Sequence, residues 1–378
     1  MATGPFELNS YVGRKPVVLT LLMALTVLLF MTVTGISHIF NSQQQSLAQR
    51  WSQRGAVDLK AQHYPEAVAD FRTALLYDRD DYSFQLSLAQ ALLGLHRTDE
   101  AYTYLINLWD RQPENGLVNL ELARIAAGKG DTWQAIRFYH NAIYATWSGD
   151  QDAESRNARF ELIHYLLGIR ATTQAQAELI AIDANLDADS PLQEQLGELF
   201  LKAKDNQHAL SAFRRALRQN RRNQAALAGA GVAAYGLARY PIAQRYLEEA
   251  LAISPNDQIS AQRLHKTTSV LMLDPYRPQV SAIDHDRMAI HAFTVAGARL
   301  KSCTPSWGPA ATAMQNLTKN WNSLKPHVNL SGLRRDPDLV NQAMDLAFSI
   351  ERQASPVCGV GNDDDQALRL IANLHEEN

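Results

Sequence analysis

Hydrophobic and polar positions fall into three patterns along the chain. The first is an unbroken run, Val17 to Ile36, with twenty residues and no charge. As a helix rising 1.5 Å per residue, that run spans the roughly 30 Å hydrocarbon core of a bilayer. The second pattern has a period of 34. Ala67, Ala101 and Ala135 are 34 residues apart, as are Ala175, Ala209 and Ala243, with six extra residues between the sets. Four residues after each alanine stands a large apolar side chain: Phe71, Leu105, Tyr139, Leu179, Phe213 and Leu247. Twelve before lie Gly55, Ala89, Ala123, Ile163, Gly197 and Gly231; seven after lie Ala74, Leu108, Ala142, Ile182, Ala216 and Ala250. The third pattern is helical periodicity without the long repeat. It covers Gln258–Leu273 and, after the breaks at Asp274-Pro275 and Pro278, Ile283–Leu300, Gly308–Leu324, Pro337–Ala354 and Asp364–Leu374. An all-α chain is expected.

The apolar run has three competing readings: a retained anchor, a cleaved signal peptide and a buried helix of a soluble protein. A signal peptide has an apolar core of about 7 to 15 residues and a small-residue exit. Here the core is longer and the best exit, Gly35-Ile36-Ser37, is poor, which favours the anchor. Its threonines are compatible with lipid because their hydroxyls can bond back to helical carbonyls. Arg14 and Lys15 precede the run, and His38 to Gln49 has no Lys or Arg. The positive-inside tendency then keeps the N-terminus cytoplasmic and places the bulk outside, on the periplasmic side of the inner membrane in a bacterium. Arg50 and Arg54 weaken this asymmetry.

Small residues at the Gly55 and Ala67 series allow two helix backbones to approach, and the large residue one turn later fills the groove beside them. Pro113-Glu114-Asn115 and Pro255-Asn256-Asp257 mark repeat-closing turns, with Trp51, Tyr64 and Tyr240 at further fixed positions. The pattern resembles the tetratricopeptide repeat over 48–257. The resemblance implies helix pairs A and B, stacked as a six-repeat right-handed superhelix (an α-solenoid) with a concave face. The units are 48–81, 82–115, 116–149, 156–189, 190–223 and 224–257. The fourth departs most, and the insertion Asp150–Ser155 is expected to lengthen the turn before it. The full division expected is a short cytoplasmic N-terminus (1–15), a transmembrane anchor (16–40), a polar tether (41–47), the repeats, a capping helix (258–274) and a C-terminal α-helical module (279–378).

In this family, positions 2, 5, 9, 12 and 13 line the groove. Carried over, they make Gln90, Leu120, Arg124, Phe160, His164, Glu194, Glu198 and Tyr235 the candidate groove contacts. Chaperone-binding members grip a C-terminal carboxylate with Lys and Asn, and neither stands at positions 5 and 9 here. The face reads as apolar with scattered charges, suited to an amphipathic helix or extended peptide.

Composition narrows the chemistry. The 36 Lys plus Arg nearly balance 39 Asp plus Glu across 378 residues, which argues against nucleic-acid binding through a basic field. Two cysteines exclude a four-thiolate metal site. Cys303 and Cys358 read as a structural disulfide if the body lies in an oxidising compartment, with free buried thiols and a redox pair as alternatives. The glycines of Gly229-Ala230-Gly231 imitate a dinucleotide fingerprint but belong to a repeat helix. Asp284-His285-Asp286 with His291 lacks the i, i+4 spacing of helical metal ligands, and Asp363-Asp364-Asp365 suits a helix N-terminus better than a calcium loop. Asn316-Leu317-Thr318 and Asn329-Leu330-Ser331 have the form of glycosylation sequons. No catalytic, metal or cofactor-binding residue is assigned, and no cofactor is expected. Arg214, Arg215, Arg218, Arg221 and Arg222 form a basic run, either a solvated helix end or a patch for an acidic partner or lipid headgroups.

The resemblance implies a non-enzymatic, membrane-anchored scaffold that docks a protein or peptide during envelope-complex assembly, secretion or maturation. Two alternatives stay open. The C-terminal module is an enzymatic or ligand-binding domain on a repeat platform, with Asp284–His291 or Arg334–Asp338 as polar groups of interest. Or exposed Trp307 and Trp321 face carbohydrate, although core positions suit them better.

Overall fold

The computed structural model describes residues 14–188, 191–305 and 308–376. The described residues form eighteen helices and no strand, and the chain divides into two compact units, Met1–Tyr165 and Leu166–Asn378.

The first unit holds α1 (Arg14–Lys60), α2 (Tyr64–Tyr77), α3 (Tyr82–Gly94), α4 (Thr98–Arg111), α5 (Gly116–Gly128), α6 (Thr132–Ile143) and most of α7 (Gln151–Gly168). Among the described residues α1 alone is long and apolar enough to cross a membrane, and the apolar side chains from Val18 to Ile36 are exposed. Thr26, Thr32 and Thr34 bond back to the carbonyls of Met23, Leu29 and Phe30 at 2.8–2.9 Å. The expected tether, 41–47, is itself helical. No Gly or Pro stands between Ile36 and Arg54, and Ser42 and Ser46 return their hydroxyls to the carbonyls of Ile39 and Gln43. The apolar run therefore continues without a joint into helix A of the first repeat, where Ala48 and Trp51 pack with Ala74 and Phe84.

The insertion also lies in helix. Asp150 caps α7 by accepting the Ala153 N–H, and Asp152 and Glu154 fall in its first turn. The added residues lengthen helix A of the fourth repeat, and the turn before it, 144–150, is also longer than the four-residue turns before α3 and α5. They are anchored there by Ser155 Oγ on the Ile143 carbonyl (2.5 Å) and by Gln151, which spans Ala145 and Trp147.

The second unit continues with α8 (Thr172–Asp183), α9 (Gln193–Lys202), α10 (Asn206–Gln219), α11 (Gln224–Gly236), α12 (Tyr240–Ile253) and α13 (Gln258–Leu273). All six repeat alanines, Ala67 through Ala243, are fully buried, and each large partner is at most 5% exposed. The glycines show why. A Cβ on Gly55 would stand 3.2 Å from the Phe71 ring, one on Gly197 2.8 Å from Phe213, and one on Gly231 2.6 Å from Leu247. Helix A–B turns repeat as faithfully. Gln62, His96, Gly130, Arg170, Lys204 and Ala238 all have φ between 56° and 74°, and five of these left-handed positions carry a side chain. Because an L-residue there costs about 1–2 kcal/mol, Ala238→Gly is expected to stabilise the protein by roughly 0.5–1 kcal/mol after the glycine entropy loss. Chemical denaturation of the two forms checks this.

Beyond α13 come α14 (Ala282–Ser302), α15 (Pro309–Leu324), α16 (Leu330–Arg335), α17 (Asp338–Cys358) and α18 (Asp363–Glu376). Their core is continuous with Tyr240 of the sixth repeat and Val270 and Leu273 of α13, so the module packs on the last repeat. Trp321 is core. It stacks on Phe293 at 5.4 Å and donates its indole N–H to the Phe293 carbonyl, with Gly297 beneath the ring. Trp307 lies outside the described residues. Asn362 and Asp365 cap α18 reciprocally at 2.9 Å. Asn329 of the second sequon caps α16 through the Ser331 and Gly332 N–H groups, while Asn316 is exposed on α15.

A disulfide joins Cys303 to Cys358, with Cα atoms 5.7 Å apart. Beside it Arg299 donates to the Gly359 carbonyl and stands 3.8 Å from Glu351 and 4.0 Å from Asp365, all three side chains buried. Burial first, then the Asp365 carboxylate, pushes the Glu351 carboxyl up to about 8. An acid with a raised folded-state pKa is stabilised in its neutral form. That contribution is complete below the ordinary value of 4.5 and disappears as pH rises through about 8. Urea midpoints for the module should fall between pH 5 and 8, and Glu351→Gln should remove most of that fall.

Candidate protein-docking site

The sharpest constellation in the first unit lies on successive A helices. Arg124 projects from α5 and grips Glu161 of α7 with both arms, Nε–Oε2 2.9 Å and Nη2–Oε1 2.6 Å. Its third contact, 3.0 Å, goes to Glu121 one turn earlier. Burial raises the Glu121 carboxyl above the ordinary range, while Arg124 and a hydrogen bond from Gln90 of α3 pull the other way. The result is a ladder, Gln90–Glu121–Arg124–Glu161, crossing three helices. Tyr139 of α6 packs against Tyr165 at 6.0 Å, its hydroxyl pushed up to about 12 by burial and by Glu161.

Arg124 itself keeps 43% of its side chain exposed. Beside it opens a cavity of about 540 Å³ walled by Leu93, Glu121, Arg124, Ile125 and the Lys129–Asp99 ion pair at 2.7 Å. Lys129 holds the Asp99 carboxyl below its usual range, first by hydrogen bonding and then by charge. Leu120 and Phe160 are only 5% and 8% exposed. Their side chains go into packing between helices, and what the unit presents to solvent here is polar. His164 is exposed on α7.

In the second unit Glu194 accepts a hydrogen bond from Asn223, and Glu198 is exposed. Tyr235 is engaged already, edge-on to Tyr240 at 5.4 Å and covered by Arg263 of α13 at 4.7 Å. The basic run separates into two roles. Arg215 is structural: it contacts Asp183 and donates to Gln193 (2.7 Å) and Ser211 (3.0 Å), tying α10 to α8 and α9. Arg214, Arg218 and Arg221 line an open cavity of about 430 Å³ with Tyr246 and Glu249, and Arg222 is exposed in the following turn.

A family profile described as tetratricopeptide repeat matches residues 53–109 and 195–258. These two segments carry tetratricopeptide repeats. Among solved structures, the chain is similar to YrrB, described as a tetratricopeptide-repeat protein with an unusual peptide-binding site, at 16% identity. That likeness covers 51% of this chain and 96% of YrrB, with a TM-score of 0.40. It is also similar to PilW, a widely conserved type IV pilus biogenesis factor, at 16% identity over 57% of this chain and 98% of that one, TM-score 0.40. The TPR2AB domain of yeast Sti1, solved in complex with pHSP90, is 15% identical over 88% of this chain and 98% of that one, TM-score 0.27. No curated protein matches the chain in sequence.

Within the repeats, sequence reasoning singled out Gln90 and Arg124 as candidates but not Glu121 and Glu161, which they contact. The available signal was an acid at the sixth position of both the third and fourth units. Gly229 and Gly231, inside α11, face Phe213 and Leu247, as packing positions should. Asp284 caps α14 with Ser281 and pairs with Arg287, and His285 lies 3.5 Å from Asp286. Among the described residues no three such side chains gather in a metal-binding cluster. Asp336, in the other flagged stretch, accepts the Asp338 N–H at the start of α17.

Proposed function

We propose that the protein is a membrane-anchored, non-enzymatic scaffold that docks a segment of a partner protein on the A-helix face around Arg124. The observation that carries this is the ladder from Gln90 to Glu161. It fixes a half-exposed guanidinium beside a cavity large enough for a peptide side chain, with polar groups arrayed across three repeats. Such an arrangement favours hydrogen-bonded capture of an extended segment. The membrane role rests on α1, whose apolar stretch runs into the first repeat as one helix of about 70 Å. With Arg14 and Lys15 before the run and a disulfide in the body, the N-terminus is cytoplasmic and the repeats extracytoplasmic, in keeping with envelope-complex assembly, secretion or maturation.

Arg124→Gln tests the docking role. Partner recovered with the full-length protein from native membranes should drop at least several-fold, while helical content and the disulfide persist. Undiminished recovery would remove Arg124 from the site. Protease protection of sealed vesicles tests the topology, with the repeats expected to be cleaved only from the extracytoplasmic side.

A further inference from the structure

The arginines of α10 exceed what a helix end explains. Arg218 alone stands in the last turn, where a cation complements the helix dipole, and that effect fades beyond a single turn. Arg214 lies a turn earlier, and Arg221 and Arg222 follow the helix. Arg214 and Arg218 are four residues apart on α10, a spacing at which like charges repel. Among the described residues none of these four guanidinium groups forms an ion pair.

The acids around them are committed elsewhere. Glu249 of α12 pairs with Arg245 at 3.8 Å, and Glu248 accepts from Gln244 at 2.8 Å. Asp183 is held by Arg215. Arg214 reaches only a neutral group, the Tyr246 hydroxyl, with Nε at 3.4 Å. The surface is therefore positive in a chain whose formal net charge is -3. It is also shaped. The cavity of about 430 Å³ between α10, α11 and α12 has the partly buried Leu217 on the arginine face of α10 and the buried Leu227 and Tyr246 as its apolar floor.

A planar guanidinium fork matches a carboxylate with two parallel hydrogen bonds. Arg214 and Arg218 stand roughly 6 Å apart along the helix axis, and carboxylates on alternate residues of an extended segment are roughly 7 Å apart. An anionic bilayer fits less well, because its headgroups would meet the exposed Glu248 and Glu249 as well as the arginines. A single segment can be placed in register with the arginines alone.

We propose that this surface of the fifth and sixth repeats docks an internal acidic segment of a partner protein, its carboxylates on Arg214, Arg218 and Arg221 and an apolar side chain over Leu217. It uses other helices than the face around Arg124 and is independent of that reading.

The test is calorimetric titration of the full-length protein in neutral detergent with the peptide Ser-Glu-Leu-Glu-Glu-Leu-Glu-Ser, both ends blocked. It should bind at least tenfold more tightly than the same peptide with every Glu replaced by Gln, and several-fold more tightly than one with both Leu replaced by Ser. Combining Arg218→Gln with Arg221→Gln should weaken it at least tenfold, while Arg335→Gln, an exposed cation on α16, should change nothing. Equal binding of the Gln peptide, no binding of the acidic peptide in the millimolar range, or an unaffected double variant would each overturn the proposal. Undiminished binding of the Ser peptide would overturn the part assigned to Leu217. Glycerol phosphate, the headgroup of an anionic lipid, displacing the peptide at equal concentration would overturn the choice of a protein partner in favour of a lipid surface. The peptide comparisons need only the native protein, so they decide the matter even if a variant misfolds.

Discussion

Cys303→Ala is expected to lower the stability of the C-terminal module by about 4 kcal/mol. The bond closes a loop across a sequence separation of 55 that includes α15, α16 and nearly all of α17. Cross-linking removes the closure entropy of that loop from the unfolded chain, which in the chain-entropy model gives the figure quoted. Alanine is the suitable replacement because Cys303 is 1% exposed, and serine would bury a new hydroxyl. The bond also fixes the chain at Gly359, whose carbonyl receives the buried Arg299. Loosening Cys358 should therefore release Arg299, Glu351 and Asp365 together. Hydrogen exchange of α14 and α17 in the full-length protein should accelerate by about three powers of ten, given 1.4 kcal/mol per factor of ten. The first four repeats should change little. Reduction of the native protein should reproduce the effect.

Phe213→Ala has an expected cost of about 3–5 kcal/mol, felt in the fifth and sixth repeats. Phe213 is fully buried between two glycines, Gly197 of its own helix A and Gly229 of the next. A Cβ at Gly229 would come within 2.3 Å of the ring. The ring thus fills space that both helices vacate, and alanine leaves a cavity that two rigid backbones cannot readily collapse into. Urea denaturation followed by far-ultraviolet dichroism should show an earlier transition for this half of the chain. A drop below about 1 kcal/mol would mean that α9 and α11 are not packed on Phe213 as described.

Sequence legibility followed the strength of the packing constraint. A backbone approach that admits only Gly or Ala at Ala67, Ala101 or Gly197 leaves a mark at every 34th residue, and those marks placed the helices of the repeats. The continuity of α1 through 41–47 left no such mark, because Gln and Ser are equally at home in a solvated helix and a polar tether. In the same way, the insertion at Asp150–Ser155 carries a good cap and no helix breaker, and its polar composition concealed its helical role. The six-residue α16 is too short for periodicity to register, although Asn329 at its cap and Pro326 and Pro337 outside it bounded the segment. At the candidate site the family positions led to Gln90 and Arg124. What surrounds Arg124 depends on which acids of neighbouring repeats fall opposite, a matter of registry between helices 37 residues apart in sequence. The same limit applied to Leu120, Phe160 and Tyr235, whose side chains are engaged in packing.

The central claim is that the A-helix face of the repeats docks a partner protein. Site-specific photocrosslinking in native membranes tests it most directly, with the probe placed in turn at Gln90, Arg124 and His164 and, as a control, at the exposed Leu76 of α2. The account predicts a discrete adduct of higher mass from the three face positions, absent from Leu76 and identifiable by mass spectrometry. An adduct formed equally at all four positions, only an intramolecular product, or none would contradict it.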